Sequence, residues 1–413
     1  MRRVVITGLG AVSPIGSTKE EILKSLKEGK CAVDFVKNID TSDLSVKIAC
    51  ECSDFDPLLY FSKKDIKRLD RVNQFAIVAA RKALEDSKLN LENMDPLKVG
   101  VVFSSGIGGL NTLEKETLLA GQRGFDRISP FFIPMVITNM SASHIAIDLK
   151  IHGHVTCPVT ACAGSSNAIL EAYRNIKDGY TDIIFAGGSE ASINHLGLGG
   201  FASMRALNET LDINRASIPF DKERSGFVMG EGAAVIVLEE LENAKKRNAH
   251  IYGEIIGTGI SCDAGHITAP DSTGEYVKLA MESAINEAGI KKEDVKYINA
   301  HGTSTPLNDK TETKAVKRTF EGCLENLKMS STKSMTGHLL GASGALELMI
   351  STIAMNNNFI PPTVNYKVYD EECDLNIVPN KGIDEEYNLF MSNSLGFGGH
   401  NVSLIVRSYK DEI

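Results

Sequence analysis

The stretch VTACAGSSNAILEAYRNIKD, residues 159–178, runs from a short apolar segment through a cluster of small residues into an amphipathic pattern. Its apolar side chains recur at helical spacing, at Ala168, Ile169, Ala172, Tyr173 and Ile176. The stretch therefore predicts a strand that turns directly into a helix, with Cys162 at the start of that helix. A strand followed at once by a helix is a building unit of α/β proteins.

Strand and helix patterns alternate along the rest of the chain. Continuous apolar runs, which are typical of strands buried on both faces, occur at residues 4–7, 99–104, 182–187, 233–238, 251–260, 295–299 and 402–406. Helical periodicity occurs at residues 18–29, 72–87, 165–178, 275–288, 309–319 and 344–356. The alternation predicts an α/β fold, and its restart near residue 250 predicts two similar halves, residues 1–250 and 251–413.

Composition indicates the broad class of protein. The chain has 413 residues, of which 43% are hydrophobic and 23% are charged, as in a soluble globular enzyme. Its net charge of −9 argues against a general nucleic-acid binder, which needs a broad basic face. No apolar run is long enough for a membrane span, and the run before Gly8 is too short for the core of a signal peptide. We therefore expect a cytoplasmic protein that binds neither membrane nor nucleic acid.

The eight cysteines lack the paired spacing of a zinc ribbon or a redox dithiol, so we expect no metal site. In a reducing compartment most of them are small buried hydrophobic residues. Cys162 differs because it opens a helix, where unsatisfied amides and the positive dipole end stabilise a thiolate and lower the pKa of the thiol. The residues alone leave two interpretations of Cys162 open, a catalytic nucleophile and an inert buried cysteine.

Two histidines stand where α/β proteins place ligands. His301 follows the apolar run 295–299, so it projects from a strand end. His338 lies just before a helix and five residues after Lys333. The positive potential at a helix start favours a neutral imidazole, which can donate a hydrogen bond to a developing oxyanion. A structural histidine with satisfied hydrogen bonds is the alternative at both positions.

Eight ordered motifs, spread over nearly the whole chain, carry a resemblance to a known family. They are RRVVITGLGAVSPIG at 2–16, FFIP at 131–134, TACAG at 160–164, GGSEA at 187–191, PFDKERSGFVMGEGA at 219–233, AHGTSTP at 300–306, KSMTGHLLGASGALE at 333–347 and SNSLGFGGHN at 392–401. The sequence resembles the β-ketoacyl-acyl-carrier-protein synthases of the thiolase-like superfamily, most closely the condensing enzymes of type II fatty acid synthesis.

The resemblance implies a thiolase-like fold with duplicated halves in a five-layered αβαβα arrangement, usually as a homodimer. It implies that Cys162 takes an acyl group from the phosphopantetheine of an acyl carrier protein. Malonyl-acyl-carrier protein then loses carbon dioxide and attacks the thioester, and no cofactor of the protein's own is implied. His301 and His338 would stabilise the enolate, with Lys333 ordering the pair. The amides of Cys162 and Phe397 would form the oxyanion hole.

Matching residue by residue extends the implied site. Phe397 would be the gate that admits the acyl chain, and Ile107 and Phe201 would line its apolar pocket, with core packing as the alternative. Glu347 corresponds to an acidic residue near the histidine pair, in a structural or a catalytic role. The residues that would bind pantetheine are Thr268, Thr303 and Thr305. Threonines of this kind are also ordinary turn residues.

A basic segment at residues 61–71 stands out on an acidic chain. Its cations are Lys63, Lys64, Lys67, Arg68 and Arg71. Residues 64, 67, 68 and 71 share one face if the segment is a single helix. Docking of an acidic carrier protein is one interpretation of this face, and a solvated helix surface is the other.

Three departures from the family pattern, His154, Cys157 and His400, have no role that the residues alone explain. They leave open the acyl chain length and a polyketide-type ketosynthase in place of a fatty acid enzyme. A noncatalytic chain-length partner on the same fold is another alternative, but such proteins typically lack the nucleophile that Cys162 supplies. A thiolase-like acyltransferase that uses coenzyme A would usually pair its cysteine with a different set of His and Cys residues.

Overall fold

A computed structural model of the chain describes residues 2–410. The strands are β1 Val4–Val12, β2 Asp34–Phe35, β3 Ile48–Ala49, β4 Val99–Ser104, β5 Val155–Thr156, β6 Ile183–Glu190, β7 Gly232–Glu240, β8 Gly253–Cys262, β9 Tyr297–Asn299, β10 Lys328–Ser330, β11 Phe359–Ile360, β12 Ile383–Asp384, β13 Leu389–Gly396 and β14 His400–Arg407. The helices are α1 Lys19–Glu28, α2 Lys63–Ile66, α3 Arg71–Ser87, α4 Leu110–Arg123, α5 Phe132–Val136, α6 Met140–Leu149, α7 Gly164–Lys177, α8 His195–Ser203, α9 Leu241–Lys246, α10 Glu275–Ala288, α11 Pro306–Thr319, α12 Lys333–Thr336 and α13 Ser343–Asn356.

Ten strands pair in an order that repeats itself about the centre. The order is β10-β9-β13-β14-β8-β1-β7-β6-β4-β5, and β1 pairs with β8 where the two halves meet. Outward from β1 the pairings are antiparallel, antiparallel, parallel and parallel. Outward from β8 they follow the same sequence. This repetition confirms the duplicated halves; the boundary near residue 250 stays a prediction.

The helices form three layers that alternate with the two halves of the sheet. α7 and α13 contact each other and strands of both halves, so they form the central layer. α3 and α6 cover the outer face of the first half; α10 covers that of the second, and α11 packs beside α10. The predicted five-layered αβαβα arrangement is confirmed. Strands between two helical layers are apolar on both faces, which explains the continuous apolar runs of the sequence.

Each helix of the central layer begins after a strained turn. Ala161 opens the turn before α7 with φ at 47°, and Leu340 opens the turn before α13 with φ at 47°. Left-handed backbone at a residue other than glycine costs about 1 to 3 kcal/mol, so the surrounding packing must hold it. The first turn carries Cys162, and the second lies two residues after His338.

The basic segment at residues 61–71 is not one helix, so the shared face predicted for its cations is wrong. α2 ends at Ile66, and α3 begins at Arg71 after a cap by Asp70. The side chain of Asp70 accepts a hydrogen bond from the Val72 amide at 3.1 Å, and a capping aspartate fixes the start of a new helix.

No helix within residues 2–410 is both long enough and apolar enough to cross a lipid bilayer.

Candidate active site

One cavity of about 410 Å³ brings together most of the site residues predicted from the sequence. Those that line it are Cys162, Phe201, Thr268, His301, Thr303, Thr305, His338 and Phe397. Ile107 and Lys333 lie behind its walls, and the basic segment lies outside it. Residues from both halves therefore meet at one site, as expected where strand ends of an α/β sheet face each other.

Cys162 lies in the turn Ala161–Ala163, immediately before α7, and is 8% exposed. Burial raises the pKa of its thiol to about 12, although the charge of Lys333 and the amide of Phe397 act in the opposite direction. The expectation of a lowered pKa is therefore wrong for the resting site, because burial outweighs the stabilising groups. Cys162 is a protonated thiol here at neutral pH.

The two histidines are neutral and face each other. The ring centroids of His301 and His338 are 5.3 Å apart, with the rings nearly perpendicular. Burial, the charge of Lys333 and the neighbouring His338 hold the pKa of His301 well below its usual value. Burial and the charge of Lys333 do the same to the pKa of His338. This confirms the expectation of neutral imidazoles at both positions.

The hydrogen bonds of Lys333 determine which nitrogen of His301 carries the proton. The Lys333 Nζ lies 3.5 Å from His301 Nδ1, donates to the His301 carbonyl at 2.6 Å and donates to Glu347. An ammonium group can only donate, so His301 Nδ1 accepts and its proton resides on Nε2. His338 Nδ1 lies 2.8 Å from Ser343 Oγ, and a hydroxyl that donates there leaves the proton of His338 on Nε2 as well.

Two acidic residues of α11 anchor the loop that carries His301. Glu312 accepts hydrogen bonds from the amides of His301 at 2.9 Å and Gly302 at 2.8 Å. Asp309 accepts from the amide of Thr303 at 2.9 Å. Burial raises the pKa of Glu312 to about 7, although the Gly302 and His301 amides lower it. Neither carboxylate is predicted from the sequence, although their three-residue spacing on the helix after the AHGTSTP motif is a signal for them.

A buried arginine holds the loop that carries Thr303 and Thr305. Arg224 donates to the carbonyls of Thr305 at 3.3 Å and Pro306 at 3.2 Å, and its charge is balanced by Asp370. Thr303 Oγ1 and Thr305 Oγ1 lie 2.9 Å apart. The two hydroxyls are therefore presented together at the cavity wall.

Apolar side chains line the inner part of the cavity. The rings of Phe201 and Phe397 lie 6.3 Å apart. Ile107 and Phe201 are half-buried and pack against the cluster that contains Cys162 and Leu340. An acyl chain attached to Cys162 would therefore meet hydrocarbon on several sides.

The five cations of the basic segment do not form one surface. Lys63, Lys64, Lys67 and Arg68 are exposed. Arg71 is half-buried and forms an ion pair with Glu231 at 2.7 Å, so its charge is already matched within the chain. Arg71 is therefore a structural residue, whereas the four other cations remain available to a partner.

Comparison with known proteins agrees with this geometry. The model of the β-ketoacyl synthase N-terminal domain matches residues 1–244, and that of the C-terminal domain matches residues 252–367. The chain belongs to the β-ketoacyl synthase family. This membership confirms the resemblance stated from the motifs, and with it the thiolase-like fold and the enzyme class.

Curated relatives of this β-ketoacyl synthase match over nearly their whole length. The 3-oxoacyl-[acyl-carrier-protein] synthase 2 of Synechocystis sp. is 45% identical over 410 residues, which is 99% of each chain. The protein of the same name from Staphylococcus aureus strain N315 is 45% identical over 409 residues, again 99% of each chain.

Solved structures of ketosynthases superpose on the chain over nearly its whole length. A β-ketoacyl synthase from Burkholderia phymatum has a TM-score of 0.93 at 33% identity, covering 99% of this chain and all of that one. The ishigamide ketosynthase/chain length factor has a TM-score of 0.92 at 32% identity, with the same coverage.

Proposed function

We propose that this ketosynthase condenses malonyl-acyl-carrier protein with an acyl group held on Cys162, lengthening a fatty acyl chain by two carbons. The observation that carries the proposal is one cavity lined by a thiol and two neutral histidines. The names of the curated relatives support fatty acid synthesis rather than the polyketide alternative. We further propose the boundary between the halves near residue 250.

The first half-reaction moves the acyl group to the thiol. The sulfur of Cys162 attacks the thioester carbonyl of an acyl-phosphopantetheine, a new C–S bond forms and the carrier thiolate leaves. Because burial keeps the Cys162 thiol protonated, its proton must depart as the bond forms, and it goes to the departing carrier thiolate. The amides of Cys162 and Phe397 hold the oxygen of the tetrahedral intermediate.

The second half-reaction builds the new carbon–carbon bond. Malonyl-carrier protein loses its carboxylate as carbon dioxide, and the electron pair of the broken bond forms an enolate. The Nε2 protons of His301 and His338 donate hydrogen bonds to the enolate oxygen. The enolate carbon attacks the thioester on Cys162, the C–S bond breaks, and the β-ketoacyl product leaves on the carrier. The released thiolate of Cys162 takes a proton from water, which restores the thiol. Two neutral donors stabilise the enolate without protonating its carbon, which is why a low histidine pKa suits this reaction.

The cavity also suggests how a carrier-bound substrate enters. We assign the hydroxyls of Thr268, Thr303 and Thr305 to the amide-bearing pantetheine arm, because all three line the cavity. Phe397, between glycines at 396 and 398, serves as the gate. Behind it, Ile107 and Phe201 form the wall of the acyl pocket. The protein needs no cofactor of its own, since the substrates bring their phosphopantetheine.

An acyl carrier protein docks on the exposed cations of the basic segment. A solved structure with a TM-score of 0.92 and 30% identity is described as a type II PKS acyl-carrier protein in complex with its ketosynthase bound to the hexaketide. Reversing Lys64 and Lys67 to Glu should raise the KM for carrier substrates at low salt and leave the rate at saturation unchanged. The matched control reverses Lys245 and Lys246, which are exposed on α9. An unchanged KM would contradict docking at this segment.

The edge of the sheet supports a homodimer. β5 is the outermost strand of the first half, and apolar side chains around it are exposed, among them Ile133 at 59%, Ile147 at 70% and Val159 at 51%. A second copy that covers this edge would remove unpaired strand groups and apolar surface from water. Sedimentation equilibrium should give twice the chain mass, and Val159→Lys should shift it toward the monomer. We propose a cytoplasmic location for the assembly.

The decisive experiment follows carbon dioxide release and β-ketoacyl product with malonyl-carrier protein and a panel of acyl and β-ketoacyl donors. The wild type should condense fatty acyl donors, and Cys162→Ala should make no product. Cys157→Ala is the matched control, because Cys157 is a half-buried thiol that does not line the cavity. A folded wild-type protein that is inactive with every donor would overturn the assignment as an enzyme and favour a noncatalytic chain-length partner. Turnover of β-ketoacyl donors alone would favour the polyketide alternative.

A further inference from the structure

Glu190 is a buried carboxylate that the proposed reaction does not use. It ends β6, is 0% exposed, and has no lysine or arginine partner among residues 2–410. Five donors satisfy it instead. Its Oε2 accepts from the amides of Gly106 at 2.7 Å and Gly341 at 3.0 Å. Its Oε1 accepts from Ser105 Oγ at 3.1 Å, the Ile107 amide at 3.3 Å and Ser192 Oγ at 3.4 Å.

Four of the donors come from two parts of the chain that flank Cys162, and the fifth, Ser192, follows Glu190 by two residues. Residues 105–107 follow β4 in the first half, and Gly341 lies in the strained turn before α13 in the second half. Two glycines leave room for the carboxylate, since a Cβ at Gly106 would lie 2.7 Å from Glu190 Oε2 and a Cβ at Gly341 would lie 2.9 Å from it. A niche closed by glycines and filled by one carboxylate fixes the distance between these two segments.

Both segments carry a side chain of the apolar cluster around Cys162. Ile107 follows the Gly106 amide directly, and Leu340 precedes Gly341. The negative charge of Glu190 also acts on the nucleophile, as it is one of the causes that raise the pKa of Cys162. Glu190 thus connects the pocket wall, the turn that follows His338 and the thiol.

We propose that Glu190 is a positioning residue for acyl loading, which holds Ile107 and Leu340 at fixed places in the acyl pocket and thereby sets the preferred chain length. The proposal rests on the proposed function, since it takes the cavity beside Cys162 as the acyl pocket. Glu190 acts through the backbone of residues 106, 107 and 341 and needs no contact with the reacting atoms.

The variant Glu190→Gln separates the parts of this network. Its amide nitrogen will face the two serine hydroxyls, which can accept, because two amide donors occupy the other side. The bonds to Gly106 and Gly341 then persist, and the Ile107 amide loses its acceptor. A backbone amide buried without an acceptor is costly, so the Ile107 segment should move.

The test measures acyl-enzyme formation by mass spectrometry with short and long acyl-carrier donors. In Glu190→Gln the ratio of long-chain to short-chain loading rates should change by about tenfold or more, the scale on which apolar pockets discriminate. Malonyl decarboxylation should stay within about twofold of the wild type, because the bond to Gly341 beyond His338 is kept. Burial raises the pKa of Glu190 to about 7, so its negative charge is present above that pH. Loss of this charge should speed alkylation of Cys162 by iodoacetamide at about pH 8.5, which a purely structural role would not do.

Two further variants keep the result interpretable. Gly106→Ala displaces the carboxylate without changing its charge, so it should alter the chain-length ratio without the gain in alkylation. Glu239, a buried carboxylate on β7, accepts a hydrogen bond from Thr7 and pairs with Arg247. Glu239→Gln should lower stability and keep the wild-type ratio of long-chain to short-chain loading. A wild-type ratio in folded Glu190→Gln and Gly106→Ala, or an altered ratio in Glu239→Gln, would overturn the role of Glu190. A wild type that loads no donor would overturn the proposed function itself.

Discussion

Replacing Lys333 by Met should separate the stability of the site from its chemistry. Lys333 is 1% exposed and donates to the carboxylate of Glu347, to the carbonyl of His301 and toward His301 Nδ1. The second oxygen of Glu347 has no hydrogen-bond partner within residues 2–410. Removing the ammonium leaves a buried carboxylate without compensation. The expected loss of unfolding free energy is about 3 to 5 kcal/mol.

The double variant Lys333→Met/Glu347→Leu removes both charges together. Apolar residues of similar volume often replace a buried ion pair without loss, so this variant should return to within about 2 kcal/mol of the wild type. Its activity should not return. Without Lys333, nothing fixes the tautomer of His301, and losing one such oxyanion donor typically costs about 100-fold or more in rate.

The dependence on pH gives a second check on the single variant. Burial raises the pKa of Glu347 to about 7, although Lys333 acts in the opposite direction. A raised carboxyl pKa means that the native state binds the proton more tightly than the unfolded chain does. Protonation of Glu347 thus stabilises the native state, fully below about pH 4.5, and this stabilisation is lost as the pH rises through 7. In Lys333→Met the pKa of Glu347 rises further, so the deficit in stability should be larger at pH 8 than at pH 5.5.

Urea unfolding at these two pH values, together with carbon dioxide release from malonyl-carrier protein, measures both effects. The wild type and Glu347→Leu alone complete a double-mutant cycle. A double variant that regains activity in proportion to its stability would refute the assigned role of Lys333. So would a single variant as stable as the wild type at pH 8.

Three more predictions concern the oxyanion amides, the loop that carries Thr303 and Thr305, and the thiol of Cys162. Gly396→Ala places a Cβ 2.7 Å from the Thr160 carbonyl and 3.2 Å from the Cys162 amide, so the rate of acyl loading should fall about 100-fold. In the control Gly121→Ala the added Cβ meets nothing within 4 Å, so this variant should load normally. Arg224→Lys loses the planar guanidinium that donates to the carbonyls of Thr305 and Pro306, so the KM for carrier substrates should rise several-fold with a smaller change in kcat. Equal effects on KM and kcat would contradict a positioning role for Arg224. Because burial raises the pKa of Cys162 to about 12, its alkylation by iodoacetamide should rise about tenfold per pH unit between pH 7 and 10, and a plateau near pH 7 would contradict this.

The sequence predicts the elements of the fold wherever burial and polarity agree. The apolar run at residues 99–104 is β4, and the helical pattern at residues 275–288 is α10. The strand β13, which lies between β9 and β14, escapes prediction because it contains Ser392, Asn393 and Ser394, which are polar yet 0% exposed. Asn393 accepts from Ser403 Oγ at 2.8 Å, and Ser394 pairs with Ser166 at 2.8 Å. Hydrogen bonds across elements, which no local pattern contains, make the burial of Asn393 and Ser394 tolerable, whereas Ser392 Oγ has no partner among residues 2–410.

The candidate site likewise contains residues that the sequence identifies and residues that it does not. Cys162, His301 and His338 carry chemistry in their side chains, so their motifs identify them. Glu190 and Glu312 act through the backbone amides of other segments, and only the folded chain shows which amides those are. The pKa of Cys162 was missed for a related reason, because a helix start is visible in the sequence while the depth of burial is not.

The paired turns before α7 and α13 also explain why a duplicated chain has one reaction centre. Ala161 and Leu340 open equivalent turns, and their next residues are Cys162 and Gly341. At Gly341 a Cβ would lie 2.3 Å from the Gly106 nitrogen, so no side chain of any kind fits there. A second nucleophile is sterically excluded. With Cys162 as the one thiol of residues 2–410 that lines the cavity, the site holds one acyl chain at a time, and the extender unit must react with that chain before the next one can load.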